Sequence, residues 1–229
     1  MATTPHARNN AQTGANNPPE SVCPFARWQG HQRRIGLTGG IASGKSSVAH
    51  FLIQKRVPVL DADKYAQAAL APGSAGEGAV LRRYGPQVQN TDGTGVNRAA
   101  LGSLVFSDPV EQAWLEQQIH PEVRQRIDDA LEVHAAAPTV VLMIPLLFEA
   151  GFDHLCSEIW VVHCSPAQQR ERLMARNHLT AEAADLRIAA QWPLERKQAL
   201  ADHVIWNGGP PETWIPQVDA LLQPGAALD

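Results

Sequence analysis

The segment Gly39-Gly40-Ile41-Ala42-Ser43-Gly44-Lys45-Ser46 constrains this chain more than any other stretch. It fits G-x-x-x-x-G-K-[ST] at every fixed position. The pattern has a mechanism: successive backbone N–H groups of a glycine-rich turn wrap a phosphate chain while the positive end of the following helix faces the same charge. That mechanism needs a strand before the turn and a helix after it. Order is expected to begin at Arg34; Ile35-Gly36-Leu37-Thr38 is a short apolar run, and Lys45 to Lys55 has a helical pattern. Lys45 then reaches the β- and γ-phosphates of a nucleoside triphosphate, and the Ser46 hydroxyl ligates Mg²⁺. The competing reading is a flexible glycine turn with a solvated lysine.

Further apolar runs follow. Val57 to Leu60 ends in Asp61-Ala62-Asp63; Val140 to Ile144 and Ile159 to Cys164 are unbroken, and His203-Val204-Ile205 is shorter. Unbroken runs separated by helical stretches predict a parallel sheet covered on both faces. The two acids fall at the carboxyl end of the second run, the edge where open α/β sheets bind ligands. One of them can position an acceptor hydroxyl or take its proton. Asp63 can equally cap the following helix, and the two roles are compatible. The third run leads into Pro145-Leu146-Leu147-Phe148-Glu149 with no Asp, so any metal-organising duty falls elsewhere.

Lys64 to Pro138 reads as helices. Asp108-Pro109-Val110-Glu111 is a start signal, and His120-Pro121 predicts that one helix ends and another begins. Ser165-Pro166-Ala167-Gln168 opens a helix containing Arg170, Arg172 and Arg176, and a second helix is expected after Thr180. Arg172 and Arg176 share a face. They can close over a nucleotide and neutralise charge on the transferring group, or simply form a solvated surface. None of the nine histidines pairs at ligand spacing; His120, His163 and His203 are read as structural, with no zinc or iron site expected.

Composition narrows the function classes. With 229 residues, 44% hydrophobic and 18% charged, the chain can build one sizeable core. A net charge of -4 argues against a nucleic-acid binder, and no run approaches the roughly 20 apolar residues of a membrane span. Cys23, Cys156 and Cys164 lack metal-like spacing and read as free thiols of a reducing, cytoplasmic setting. Residues 1–31 are rich in Ala, Asn, Pro, Gln and Thr, which predicts a disordered tail; Phe25 and Trp28 can dock onto the body, but composition favours an exposed linker.

Together these residues resemble the dephospho-CoA kinase family from about Arg34 to Leu222. The resemblance rests on Ile35 to Ser46, Asp61-Ala62-Asp63, Ile119-His120-Pro121, Pro145 to Glu149, Ser165-Pro166, Ala201 to Ile205 and Asn207-Gly208, in that order and spacing. It implies a P-loop NTPase fold like that of nucleoside monophosphate kinases: an α/β core of residues 32–63, 139–168 and 197–222, a helical acceptor domain of 64–138 and a lid of 169–196. By the same resemblance Asp63 is the catalytic carboxylate. Gly39, Gly40, Ala42, Ser43, Gly44, Lys45, Ser46 and Ser47 form the ATP site with Asn207 near the adenine, and Arg172 and Arg176 belong to the lid. The implied substrates are ATP and dephospho-CoA, with Mg²⁺. Gln67 stands where the family often has Arg, and Ser47 replaces a frequent Thr. His163 and Trp206 stand where smaller or acidic residues are common. Two other readings remain open at this point: a P-loop kinase for another small hydroxyl acceptor, and a non-catalytic nucleotide sensor.

Overall fold

The computed structural model describes residues 26–105 and 108–223. Five parallel strands, β1 (Arg33–Gly39), β2 (Val59–Asp61), β3 (Thr139–Met143), β4 (Glu158–His163) and β5 (His203–Trp206), form one sheet in the order β2-β3-β1-β4-β5. The apolar runs are unbroken because both faces are buried. Val140 and Leu142 of β3 and Ile159 and Val161 of β4 enter one cluster. Their alternating neighbours Val141, Met143, Trp160 and Val162 enter the other, as a side-chain period of two requires. Each fully buried Val, Leu or Ile contributes about 1.5–3 kcal/mol, so these two layers dominate the stability of the fold.

Helices α1 (Lys45–Gln54) and α9 (Pro211–Leu222) cover one face through Val48, Leu52, Trp214 and Val218. The other face is covered by the second half of α5 (Pro109–Val133), which contributes Val123, Ile127 and Leu131, together with Leu147, Phe148 and Phe152. Between β2 and β3 lie α2 (Ala62–Ala69), α3 (Ala75–Tyr84), α4 (Arg98–Val105) and α5. Val80, Val88, Val96, Leu101 and Val105 form a separate small cluster in this insert. After β4 come α6 (Pro166–Asn177), α7 (Ala181–Ala189) and α8 (Leu194–Ala199). None of the described helices is long and apolar enough to cross a membrane.

Three sequence expectations need correction. Pro121 does not end a helix: α5 continues through it from Pro109 to Val133. An internal proline costs about 3 kcal/mol, but Trp114 and Leu115 pack on the insert cluster before it and Val123, Ile127 and Leu131 pack on the sheet after it. Burial on both sides outweighs the lost hydrogen bond. The second strand begins at Val59 and includes Asp61, rather than spanning Val57 to Leu60.

Trp28 is the third. Its backbone N–H donates to Cys156 O at 3.2 Å and its indole to Gln32 O at 2.9 Å, and the Arg34 guanidinium lies 3.6 Å from its ring centroid. Arg27 pairs with Asp202 at 2.5 Å. Composition argued for a linker; a large ring with a cation to stack on docks regardless. Residues 1–25 of the expected tail, with Cys23 and Phe25, lie outside the described residues.

Candidate active site

The phosphate-loop segment joins the central strand β1 to α1. Gly44 stands at the N-cap of α1 in the left-handed region, φ 101°, with no side-chain cap and no acid in the first turn. That helix end presents unneutralised N–H groups to solvent, the arrangement that binds anions. A Cβ at Gly44 would sit 1.8 Å from Asn207 Nδ2, which donates to Ser43 O at 2.8 Å. Glycine is required there by conformation and by space. Asn207 is thus also a buried brace of the loop. Ala42 also has positive φ, at 58°. Ser43 Oγ is buried without a partner among the described residues. Ser46 and Ser47 are exposed in the first turn of α1.

Lys45 Nζ donates to Gly39 O at 3.1 Å and Gly40 O at 2.8 Å. Burial pushes its ammonium from 10.5 to about 8, and the positive charge of Lys197 adds to this; Asp63 pulls the other way, Arg176 lowers it further and Glu149 raises it. Lys45, Asp63 and Arg176 therefore share one electrostatic neighbourhood, although they come from α1, α2 and α6.

The two acids divide the roles the sequence left open. Asp61 is the N-cap of α2: its carboxylate accepts from Asp63 N at 3.1 Å and Lys64 N at 3.4 Å. Asp63 follows in the first turn with its side chain reachable from solvent. Its carboxyl is pushed up by partial loss of hydration and by Asp61, with Lys45 opposing. Capping does not occupy Asp63. One helical turn further along α2, Gln67 opens onto a cavity of about 640 Å³ that is also lined by Asn90, Val96 and Arg98.

Arg172 donates from Nη2 to Asn207 O at 3.0 Å, and its Nη1 is buried without a partner among the described residues. Arg176, near the end of α6, bonds Asn177 Oδ1 at 2.9 Å. The α6–α7 pair is further tied by Arg170 to Asp185 at 2.6 Å, an exposed pair worth under about 1 kcal/mol.

Four side chains at this site escaped the sequence reading as functional groups. Lys197, fully buried, bonds Glu149 Oε1 at 2.8 Å and Pro145 O at 2.9 Å, and Glu149 Oε1 also accepts from Trp192 N at 3.1 Å. Burial pushes the Lys197 ammonium down while Glu149 holds it up. Gln169 Nε2 donates to Ile41 O, and Gln191 Oε1 accepts from Ile41 N, each at 2.8 Å. Glu149 had a signal in the segment after β3; neither glutamine nor Lys197 stands in a pattern that marks it. The rings of His163 and Trp206 pack at a tilt of 55° with centroids 4.4 Å apart, at the ends of paired strands.

A parallel sheet of this order, with a P-loop at the end of its central strand β1 and carboxylates at the end of β2, two strands away across β3, defines a P-loop kinase. Comparison with known proteins resolves the class. The model of the dephospho-CoA kinase family matches residues 33–212. A dephospho-CoA kinase of Synechococcus sp. (strain CC9605) is 59% identical over 192 residues, covering 84% of this chain and 93% of the relative. One of Prochlorococcus marinus (strain MIT 9313) is 54% identical over 202 residues, covering 86% and 99%. A solved Thermus thermophilus structure superposes with a TM-score of 0.71 at 36% identity, covering 85% of this chain and all of that one. The chain belongs to the dephospho-CoA kinase family, and is a kinase of coenzyme A biosynthesis that uses ATP with a divalent metal.

Proposed function

We propose that this site transfers the γ-phosphoryl group of ATP to the ribose 3′-hydroxyl of dephospho-CoA, giving coenzyme A and ADP, with Mg²⁺ as the metal. The observation that carries the residue roles is the division of labour between Asp61 and Asp63: Asp61 caps α2, and Asp63 does not, and lies within electrostatic reach of Lys45. The 3′-oxygen attacks the γ-phosphorus, the bond from that phosphorus to the β–γ bridging oxygen breaks, and the hydroxyl proton passes to the Asp63 carboxylate. A raised carboxyl pKa suits that task.

Phosphoryl transfer asks the protein mainly for positioning and charge neutralisation. Lys45, with the backbone of Gly39 to Ser47, holds the β- and γ-phosphates. Arg172 and Arg176 close over them and exclude water as a competing acceptor. Oxygen donors at the mouth, the Ser46 hydroxyl above all, suit a hard cation. No cluster of three His, Cys, Asp or Glu side chains able to cage an ion occurs among the described residues. A hard cation bound at the mouth would spread the charge of the transferring group. The cavity beyond Gln67 receives the remainder of the acceptor.

The test is an ADP-release assay with dephospho-CoA, pantetheine, adenosine or no acceptor. Turnover that depends on dephospho-CoA is expected; equal or faster turnover with adenosine would transfer the site to another hydroxyl acceptor. Binding of ATP without turnover on any of them would leave a nucleotide sensor.

A further inference from the structure

We infer that Gln169 and Gln191 are positioning residues that set the two peptide planes on either side of Ile41, and so couple the α6–α8 segment to the phosphate-binding loop. The inference requires only that the P-loop binds ATP. It does not depend on the identity of the acceptor.

The geometry is specific. A trans peptide is planar, with its C=O and N–H pointing in opposite directions. Ile41 N–H donates to Gln191 Oε1 at 2.8 Å, so the carbonyl of the same plane, Gly40 O, is directed the opposite way, and there it accepts from Lys45 Nζ at 2.8 Å. Gln191 thereby fixes the carbonyl against which Lys45 rests. In the next plane Ile41 O accepts from Gln169 Nε2 at 2.8 Å, which turns the Ala42 N–H away from Gln169, opposite to the carbonyl. Gln169 is 4% exposed. It fits only because residue 40 has no side chain: a Cβ there would lie 2.2 Å from Gln169 Nε2.

The two glutamines also have different origins. Gln169 belongs to the first turn of α6, and Gln191 lies between α7 and α8, next to Trp192, whose N–H bonds Glu149. The loop tip is therefore gripped from the entry and from the exit of the segment that carries Arg172 and Arg176. Displacing that segment releases both planes at once, which makes ATP affinity depend on where the lid sits.

The test measures binding of Mg²⁺-ATP by titration calorimetry and exchange of the Ile41 amide by NMR, neither of which needs turnover. Gln169→Glu removes the donor to Ile41 O, and Gln191→Met removes the acceptor from Ile41 N with little change in shape. Each is expected to weaken ATP by roughly tenfold, the scale of one lost buried hydrogen bond, when measured at a temperature where the variant is fully folded. Gln191→Met is expected to speed exchange at Ile41, and Gln191→Glu, which keeps an acceptor, to restore protection. Gly40→Ala, which pushes Gln169 aside, should reproduce the Gln169→Glu affinity. Unchanged ATP affinity in both glutamine variants, or a loss of affinity that tracks a fall in melting temperature across all four, would overturn the inference. Failure to phosphorylate dephospho-CoA would count against the proposed acceptor and leave these readouts standing.

Discussion

The phosphate-loop end of the sheet and the helical insert are held by different means. At the loop, side-chain amides of Gln169, Gln191 and Asn207 bond backbone groups of Ile41 and Ser43, and Lys197 and Glu149 are packed behind them. In the insert, Glu111 takes Arg83 at 2.7 Å and the Tyr84 hydroxyl on a partly exposed surface. Trp114 stacks under Arg83, and the small apolar cluster does the rest. Backbone donors aimed at a phosphate act only over hydrogen-bond length, so their planes must be fixed from several sides. A surface that presents an acceptor tolerates looser construction. Substitutions at the loop end should therefore change chemistry or ATP binding with the fold intact, while substitutions in the insert should touch the acceptor alone.

Asp63→Asn should give the largest effect. Loss of a general base costs about 10² to 10⁴ in rate. Because Asp61 holds the cap, the helix is unaffected. Turnover with dephospho-CoA is expected to fall by that factor, with ATP affinity and melting temperature unchanged. More than about a third of normal turnover in this variant, a barrier change of under roughly 0.7 kcal/mol, would remove Asp63 from the mechanism.

The next effect is a pH dependence confined to the loop end. Lys45 holds phosphates as an ammonium, and its pKa without nucleotide is about 8. Above that value Lys45 loses its charge in the free site, so kcat/KM for ATP should fall toward tenfold per pH unit. Bound phosphates favour the ammonium, so kcat should persist to higher pH. The stability sign is separate. A lysine at about 8 when folded and near 10.5 when unfolded makes the unfolded chain bind more protons between those values, so its contribution to stability rises with pH across that window. The measurements are kcat/KM for ATP from pH 6 to 10 and denaturant melts from pH 8 to 10.5. A flat kcat/KM profile would show that burial does not shift Lys45.

Both regions were unequally legible in the sequence, for reasons visible in single residues. Gly44 and Lys45 could be read because a left-handed N-cap and a phosphate-seeking charge require particular residue types at fixed spacing. Strands β1, β3 and β4 were readable because burial on both faces leaves an unbroken apolar run. Gln169 and Gln191 were not, since an amide bonding a backbone group 128 or 150 residues away leaves no local pattern. Pro121 was misread because local propensity favours a break, and the packing that overrides it is contributed by the sheet and by the insert cluster. Asp61 and Asp63 stand as a pair whose residue types leave either free to cap α2; the resemblance singles out Asp63 for catalysis, and the geometry adds that Asp61 is the cap.

On the insert side, Arg98 is the cation that lines the cavity beyond Gln67. Dephospho-CoA carries a pyrophosphate, and a charge-assisted hydrogen bond contributes about 1.5–3 kcal/mol. Arg98→Ala is expected to raise KM for dephospho-CoA by roughly tenfold, with KM for ATP within a factor of two. Equal shifts in both constants would break the division between the two regions.

The smallest effect separates the two acids at the junction of these regions. Asp61→Ala removes the cap of α2 and should cost about 1 kcal/mol of stability, whereas Asp61→Asn keeps a side-chain acceptor and should cost only a few tenths. Both remove a negative charge that raises the Asp63 carboxyl. With that charge gone, Asp63 ionises at lower pH, so the acid limb of the pH–rate profile should move down by a similar amount in each variant while the plateau rate changes less than about threefold. Chemical denaturation reads the first effect and the pH profile reads the second. If Asp61→Asn lowers the plateau as severely as Asp63→Asn, the proton acceptor is Asp61 or the pair acting together. A shift of the acid limb in both variants, with a stability loss only in Asp61→Ala, would leave Asp61 as the cap and Asp63 as the base.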